Sequence, residues 1–236
     1  MKMIFKEYFP VDYDRYRFPY CIYGIKEPGD AYSDIYQNGF LPYTNDLTVK
    51  DEVFYLARSV RIPLLPPFFN YKQNNVLNKF RDVYPDDCLT FELIDKQDYE
   101  KDPFFRDWCL SNAKHRFLSE ERLTYILSRP YLTHIMRISL KDKILAYILP
   151  VYTENSFFHV WFSFYDSTIR QNDFGKWILL KVMEWSCRHS FPLFYMGTCY
   201  SLSAFYKLTL SPRAYYYDGM AWNPDTGSLK KRLAEE

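Results

Sequence analysis

The chain has 236 residues, 48% of them hydrophobic, 20% aromatic and 25% charged, which is enough apolar material for one large domain or two small ones and excludes a disordered chain. A formal net charge of +1 removes any global pull toward nucleic acid and leaves only local basic patches for such work. The five cysteines, at 21, 88, 109, 187 and 199, form no Cys-x-x-Cys pair and have no histidine at ligand spacing, so reduced thiols and no metal are expected.

In chain order, the stretch from Met1 to Phe18 is too charged and aromatic for a secretory leader. No later run reaches the ~18 apolar residues of a membrane span, so a cytoplasmic protein with no membrane partner is expected. Pro10, Pro19, Pro28-Gly29 and Pro42 punctuate short aromatic segments, and Tyr32 to Gln37 predicts a helical turn or two stopped by Asn38-Gly39. Phe54, Leu56, Val60 and Ile62 then alternate onto one face of a strand with Arg58 among them, while Tyr55, Ala57, Ser59 and Arg61 point the other way. An arginine on an apolar face is either matched by a buried carboxylate or serves as a fork for phosphate or carboxylate. After Pro63, Pro66 and Pro67, a helix from about Asn70 carries Lys72, Lys79 and Arg81, placed either for a nucleic-acid backbone or for solvent. A short strand follows around Leu89 to Ile94. Asp102-Pro103 opens a helix by cap and first-turn proline. The cluster Lys114-His115-Arg116 near the end of that helix suits its dipole. Ser119-Glu120-Glu121 opens another helix, stopped by Pro130.

From there the pattern is an antiparallel meander. THIMRISL and ILAYILPVY are separated by Lys141-Asp142-Lys143, and Glu154-Asn155-Ser156 turns into FFHVWFSFY. A helix of about 173–189, opened by Asn172 or Asp173, points Ile178, Leu179, Val182 and Met183 inward and sets Lys181, Glu184 and Arg188 on an exposed face, with Glu184 paired to Arg188. PLFYMG is a strand closed by Gly197, SLSAFYKL a short helix, and RAYYYDGMAW a returning strand. The order β-β-β-α-β-α-β resembles the second half of the GNAT acyltransferase fold. The expectation is an α+β chain with a mixed, mostly antiparallel sheet and one parallel β-α-β splay, residues 91–236 as the catalytic domain, and a smaller α+β part over residues 1–90. Open sheets bind ligands at the carboxyl ends of their strands, where Asp166 and Gly197 fall.

Across 157–222, the residues His159-Val160-Trp161, Tyr165-Asp166, Gly175, Tyr195-Met196-Gly197, Phe205-Tyr206-Lys207, Pro212 and Trp222 keep a spacing that resembles the C-terminal domain of the arginyl-tRNA-protein and bacterial leucyl-tRNA-protein transferases. IYQNGFLPYT, YLARSVRIPL and NNVLNKF are similar, more loosely, to segments of the N-terminal half of that family. Departures accompany the likeness. Tyr-Asp-Ser stands for Tyr-Asp-Pro, Thr198 follows Gly197, Phe205 replaces a methionine, and Leu41-Pro42 replaces a pair of arginines. Only Cys21 lies near the positions of the family's cysteines, so no iron-sulfur cluster is expected. The resemblance implies an enzyme that moves arginine or leucine from charged tRNA to the N-terminal α-amine of a protein, as in an N-degron pathway, with no resident cofactor. It leaves the oligomeric state open.

Such a transfer needs a deprotonated acceptor, a place for the developing oxyanion and a proton for the departing ribose hydroxyl. Asp166 is the candidate for orienting or deprotonating the acceptor, or else it shapes its turn. Tyr206 is the candidate proton donor or tRNA-end contact, or else core. Arg58 and Lys207 are placed for the terminal ribose-phosphate, Tyr195 and Trp222 for stacking on the terminal adenosine or for core, and Gly197 for close backbone approach. Arg61, Tyr165 and Gly175 complete the substrate-binding set. An alternative is an acetyl-CoA-dependent N-acyltransferase, whose pyrophosphate loop would have to be Arg170 to Trp177, where only Gly175 is present and Asp173 adds negative charge. A further alternative is a reader of protein N-termini or tRNA that transfers nothing.

Overall fold

The structure is a computed structural model that describes residues 1–7, 20–67, 69–113 and 118–235. The chain is α+β with a large mixed sheet and, among the described residues, no closed barrel. The first elements are β1 (Lys2–Lys6), β2 (Cys21–Ile25), α1 (Tyr32–Gln37), β3 (Phe40–Pro42), β4 (Val53–Leu56) and β5 (Ser59–Pro63). Helix α1 stops at Asn38 as expected, because Gly39 takes φ +81°, a left-handed conformation that side chains with a Cβ resist. A Cβ at Gly39 would also run into the ring of Tyr217. Gly39→Ala is therefore expected to destabilise the protein by about 2 kcal/mol, read as a lower urea midpoint at unchanged slope.

The next elements are α2 (Tyr71–Arg81), β6 (Leu89–Asp95), α3 (Lys96–Glu100), α4 (Pro103–Asn112) and α5 (Glu120–Leu127). Their starts are chemical. Asn70 accepts from the Lys72 N–H while Gln73 accepts from the Asn70 N–H, a capping box; Asp102 accepts from Phe104 and Ser119 from Arg122. The cluster Lys114-His115-Arg116 lies outside the described residues. Then come β7 (His134–Leu140), β8 (Lys143–Thr153), β9 (Phe157–Tyr165), α6 (Phe174–Arg188), β10 (Leu193–Thr198), a 3-10 segment (Leu202–Thr209), β11 (Tyr215–Tyr217), β12 (Trp222–Asn223) and α7 (Thr226–Glu235). The β-β-β-α-β order from β7 to β10 matches the sequence expectation.

Three local expectations are corrected. The single strand across 54–62 is two strands, because the chain breaks at Ala57-Arg58, where the Arg58 N–H donates to the Tyr200 hydroxyl (2.9 Å) and the Arg58 carbonyl accepts from the Cys199 N–H (3.0 Å). RAYYYDGMAW is a hairpin, since the Asp218 carboxylate accepts the N–H groups of Met220 and Ala221 and folds the chain back. Lys181 is buried rather than exposed: its ammonium lies 2.7 Å from both Asp86 and Glu184, so Glu184 is bonded to Lys181 in place of the pairing expected with Arg188.

By internal contacts the chain divides into two compact units, Met1–Ile62 with Tyr195–Thr209 and Arg213–Glu236, and Pro63–Phe194 with Leu210–Pro212. In the first unit, β1-β2-β4-β3 form an antiparallel sheet, and β5 pairs antiparallel with β11, which pairs with β12. Tyr36, Phe54, Val60 and Ile62 are fully buried there. In the second unit, β6-β7-β8-β9 form an antiparallel meander. Against it pack Phe105 and Cys109 of α4, Leu123 and Ile126 of α5, and Tyr147, Leu149 and Phe164 of the sheet.

One irregularity in the second unit decides which way the end of β9 faces. Leu149 is opposite Phe162 but Pro150 is opposite Val160, so Trp161 is an extra residue, a β-bulge. An extra residue reverses the alternation beyond it. Phe158 lies against Trp185 of α6, and beyond the bulge Tyr165, of opposite parity, lies over Gly175 of the same helix, while Phe164 joins the core of α4 and α5.

Candidate functional site

In the first unit, β5, β10, the 3-10 segment and β12 bring together most of the residues singled out by sequence. Arg61, on β5 opposite Tyr215, places its guanidinium 4.0 Å from the centre of the Trp222 ring. Trp222 is fixed by its indole N–H, which donates to the Gln37 carbonyl at 2.7 Å, and it meets Tyr195 and Tyr217 edge-on at 5.7 and 5.3 Å. Tyr195 is buried and lies edge-on to Tyr36. Burial pushes its phenol up, against a hydrogen bond from Arg61 that pulls it down. Arg58, in the break between β4 and β5, carries its guanidinium 5.4 Å from the ring centre of Tyr200.

The end of β10 lies in the same unit. Gly197 adopts φ +74°, and the next carbonyl, Thr198, accepts a 2.7 Å hydrogen bond from the Lys207 ammonium. The stem of Lys207 is part-exposed, but its charged end is turned inward, and this burial pulls its pKa down from 10.5 to about 8. Cys199 is fully buried beside it; burial pushes the thiol up, against Lys207 and Arg58, which pull it down. Tyr206 shares the 3-10 segment with Lys207, and burial raises its phenol, keeping it a proton donor at neutral pH.

The second unit holds Tyr165, Asp166 and Gly175. A Cβ on Gly175 would sit 3.3 Å from the Tyr165 ring, so the glycine admits that ring against the first turn of α6. Asp166 is buried immediately after β9. Its carboxylate accepts from the Thr168 N–H at 2.9 Å and the Thr168 hydroxyl at 2.5 Å, and lies 3.0 Å from the Lys143 ammonium. Burial raises the carboxyl, but these partners outweigh it and hold the group below the ordinary aspartate range. A depressed carboxyl contributes stability above its unfolded pKa and loses it as pH falls through the folded one. Asp166→Asn is accordingly expected to cost about 1–2 kcal/mol at neutral pH, with the deficit vanishing in urea melts run below the ordinary aspartate range.

Helix α6 opens without a side-chain cap. Asp173 takes a left-handed conformation, φ +72°, and its carboxylate lies 3.2 Å from Lys176 and 3.3 Å from Lys79, whose ammonium also donates to the Asn172 carbonyl at 2.7 Å. Lys79, expected to face a nucleic-acid backbone or solvent, is thus tied to this turn.

The two expected catalytic groups, Asp166 and Tyr206, belong to different units. Sequence reasoning missed Tyr200, which braces Arg58 through both its hydroxyl and its ring; no local pattern marks it. It also missed the pairing of Arg61 with Trp222, for which an arginine and a tryptophan so far apart in sequence give no signal. Among the described residues, no group of three His, Cys, Asp or Glu side chains is arranged to hold a metal ion.

No protein-family model and no curated protein matches the chain. Solved structures do. The C-terminal DUF2156 domain of a candidate lysylphosphatidylglycerol synthetase from Agrobacterium fabrum is similar at 14% identity and a TM-score of 0.44, over 76% of this chain and 67% of that one. L-PGS from Bacillus licheniformis is similar at 13% identity and a TM-score of 0.42, over 75% of this chain and 55% of that one. A candidate acetyltransferase from Clostridium difficile 630 is similar at 14% identity and a TM-score of 0.29, over 42% of this chain and 70% of that one. The chain thus spans about half the length of the Bacillus protein.

These findings correct the resemblance to arginyl- and leucyl-tRNA-protein transferases. No model of that family matches, and two of the similar solved structures carry the names lysylphosphatidylglycerol synthetase and L-PGS. Transfer to protein N-termini and an N-degron role are withdrawn with it. The physical reason lies in what produced the spacing. Asp166 shapes the turn after β9 through Thr168, Gly175 admits the Tyr165 ring, and Gly197 takes a left-handed conformation at the end of β10, so each residue meets a local need of the fold whatever the acceptor.

Proposed function

We propose that the chain moves an aminoacyl group from the 3′-terminal ribose ester of a charged tRNA to a free hydroxyl on a phospholipid headgroup. The observation that carries the reading is the inward-turned Lys207 amine at the end of β10, in a unit that also presents two arginines on aromatic rings. A tRNA end offers phosphates and an adenine. Arg58 and Arg61 match the first, and the faces of Trp222 and Tyr200 match the second. A diphosphate donor such as CoA fits less well, because Asp173 sets a carboxylate at the start of α6, where backbone N–H groups would have to meet the pyrophosphate. The lipid acceptor is the class named for the Agrobacterium domain.

In this reading the acceptor oxygen attacks the ester carbonyl carbon while its proton passes to the neutral form of Lys207. Tyr206 donates a hydrogen bond to the oxyanion that develops. The bond from the carbonyl carbon to the ribose oxygen then breaks, and that oxygen takes the proton back from the Lys207 ammonium. One ester replaces another, so no oxidant or reductant is needed. An amine with a pKa near 8 suits both halves of the exchange at physiological pH.

The test is incubation of the purified chain with tRNAs charged with labelled amino acids and vesicles containing phosphatidylglycerol. Label in the lipid extract, dependent on Lys207, supports the reading. Label in protein, transfer from an acyl-CoA instead, or no transfer with any charged tRNA overturns it.

A further inference from the structure

We infer that the cleft between α2 and α6 binds a neutral polyhydroxylated ligand of the class of a monosaccharide or cyclitol. The cleft lies wholly within the second unit and encloses about 350 Å³, the lower end of the range for small-molecule sites. One wall is a stripe of α2 on which Asn74, Asn78 and Arg81 stand four and three residues apart and so share a face. All three are exposed, and among the described residues the two side-chain amides and the guanidinium bond to nothing. Leu77, buried on the same stripe, adds one apolar patch.

The floor is ionic. Lys181 of α6 is buried at 7% exposure, and its ammonium lies 2.7 Å from a carboxylate oxygen of Asp86, in the turn Asp86–Cys88, and 2.7 Å from one of Glu184 on α6. Apolar side chains would hold the two helices together as well, because desolvating an ammonium and its carboxylates offsets most of their attraction. Helix packing alone therefore does not call for this cluster. Among the described residues, one ammonium N–H and the second oxygen of each carboxylate are left over.

These remaining groups select the ligand. Arg81 and Lys181 balance Asp86 and Glu184, so a free anion meets two carboxylates and a free cation meets an ammonium and a guanidinium. A hydroxyl suits both kinds of group: it donates to a carboxylate and accepts from an ammonium, a guanidinium or an amide. The amides of Asn74 and Asn78, each a donor and an acceptor, continue the same pattern up the wall. Several hydroxyls on one compact ring are the chemistry of a sugar or cyclitol, whose C–H face matches Leu77.

The site is independent of the proposed transfer and is tested by binding. The full chain is titrated with glucose, galactose, mannose, N-acetylglucosamine and myo-inositol, with inorganic phosphate as an anionic control and alanine as a zwitterionic one. The side-chain amide resonances of Asn74 and Asn78 are followed by NMR. At least one of the five polyols is expected to shift both resonances to saturation, and neither control is. Asn78→Ala, at an exposed position, is expected to leave the fold intact and to weaken that binding about tenfold through lost hydrogen bonds, read on the Asn74 amide. Lys181→Met, with folding checked by circular dichroism and melting temperature, is expected to weaken it at least as much. Saturable shifts from phosphate that vanish in Arg81→Met overturn the inference in favour of an anion site, and saturable shifts from alanine overturn it in favour of a zwitterion site. Binding of none of the five polyols, or unchanged affinity in Asn78→Ala and Lys181→Met, overturns it outright.

Discussion

Lys207→Met is expected to lower aminoacyl transfer by about 10²–10⁴-fold while leaving the fold intact, because it removes the group assigned to carry the proton between acceptor and ribose. The pH dependence separates this from a packing effect. Wild-type kcat/KM should rise to a plateau as pH passes about 8, the Lys207 value, and the residual rate of the variant should lack that inflection. Stability should also rise with pH. The amine is pulled down from 10.5 in the folded state, so between about 8 and 10.5 the unfolded chain binds more protons and wild-type stability rises with pH. Below that window the wild type bears the full cost of a buried charge, as much as about 3 kcal/mol, and Lys207→Met, which bears none, should be the more stable. Urea melts near neutrality and near pH 10 measure the difference. A variant with the wild-type rate, or with an unchanged pH profile, would remove Lys207 from the chemistry.

The second large effect is on the fold. Phe158 is fully buried in the second unit, where its ring lies within 6.1 Å, centre to centre, of Tyr152, Trp185, Phe191 and Phe194, side chains from β8, α6, β10 and the turn between the last two. Phe158→Ala leaves a cavity that four rigid rings fill poorly, and about 3–5 kcal/mol of stability should be lost. Denaturant unfolding checks this. A loss under 1 kcal/mol would mean that the ring cluster collapses onto the space, contrary to the close packing described.

Where elements begin and end by their own chemistry, the sequence was readable. Asn38-Gly39, the Asn70 box, Asp102-Pro103 and Ser119 act through neighbours within four residues, so their consequences can be deduced locally. The features that misled depend on distant partners. The break at Arg58 is made by Tyr200, 142 residues away, and Lys181 is drawn inside by Asp86. The bulge at Trp161 turns the end of β9 toward α6 without any local marker. Within the candidate site, Asp166, Gly197 and Lys207 were legible as strand-end and helix residues, but their partners Thr168, Lys143 and the Thr198 carbonyl were not read as such. The family resemblance failed for a related reason: Asp166, Gly175 and Gly197 each meet a local need of the fold, so their spacing does not mark an acceptor. A motif that also satisfies a geometric need of the fold has little power to name a substrate.

The most direct measurement is the mass of the product lipid. The chain, a charged tRNA and vesicles containing phosphatidylglycerol are incubated and the lipids analysed by mass spectrometry, with phosphatidylmethanol, which has the same charge but no free hydroxyl, in parallel. The proposed function predicts a phosphatidylglycerol species heavier by one aminoacyl residue, absent with phosphatidylmethanol and strongly reduced with Lys207→Met. No aminoacylated phosphatidylglycerol across a full set of charged tRNAs, or an equal yield from Lys207→Met, would contradict it.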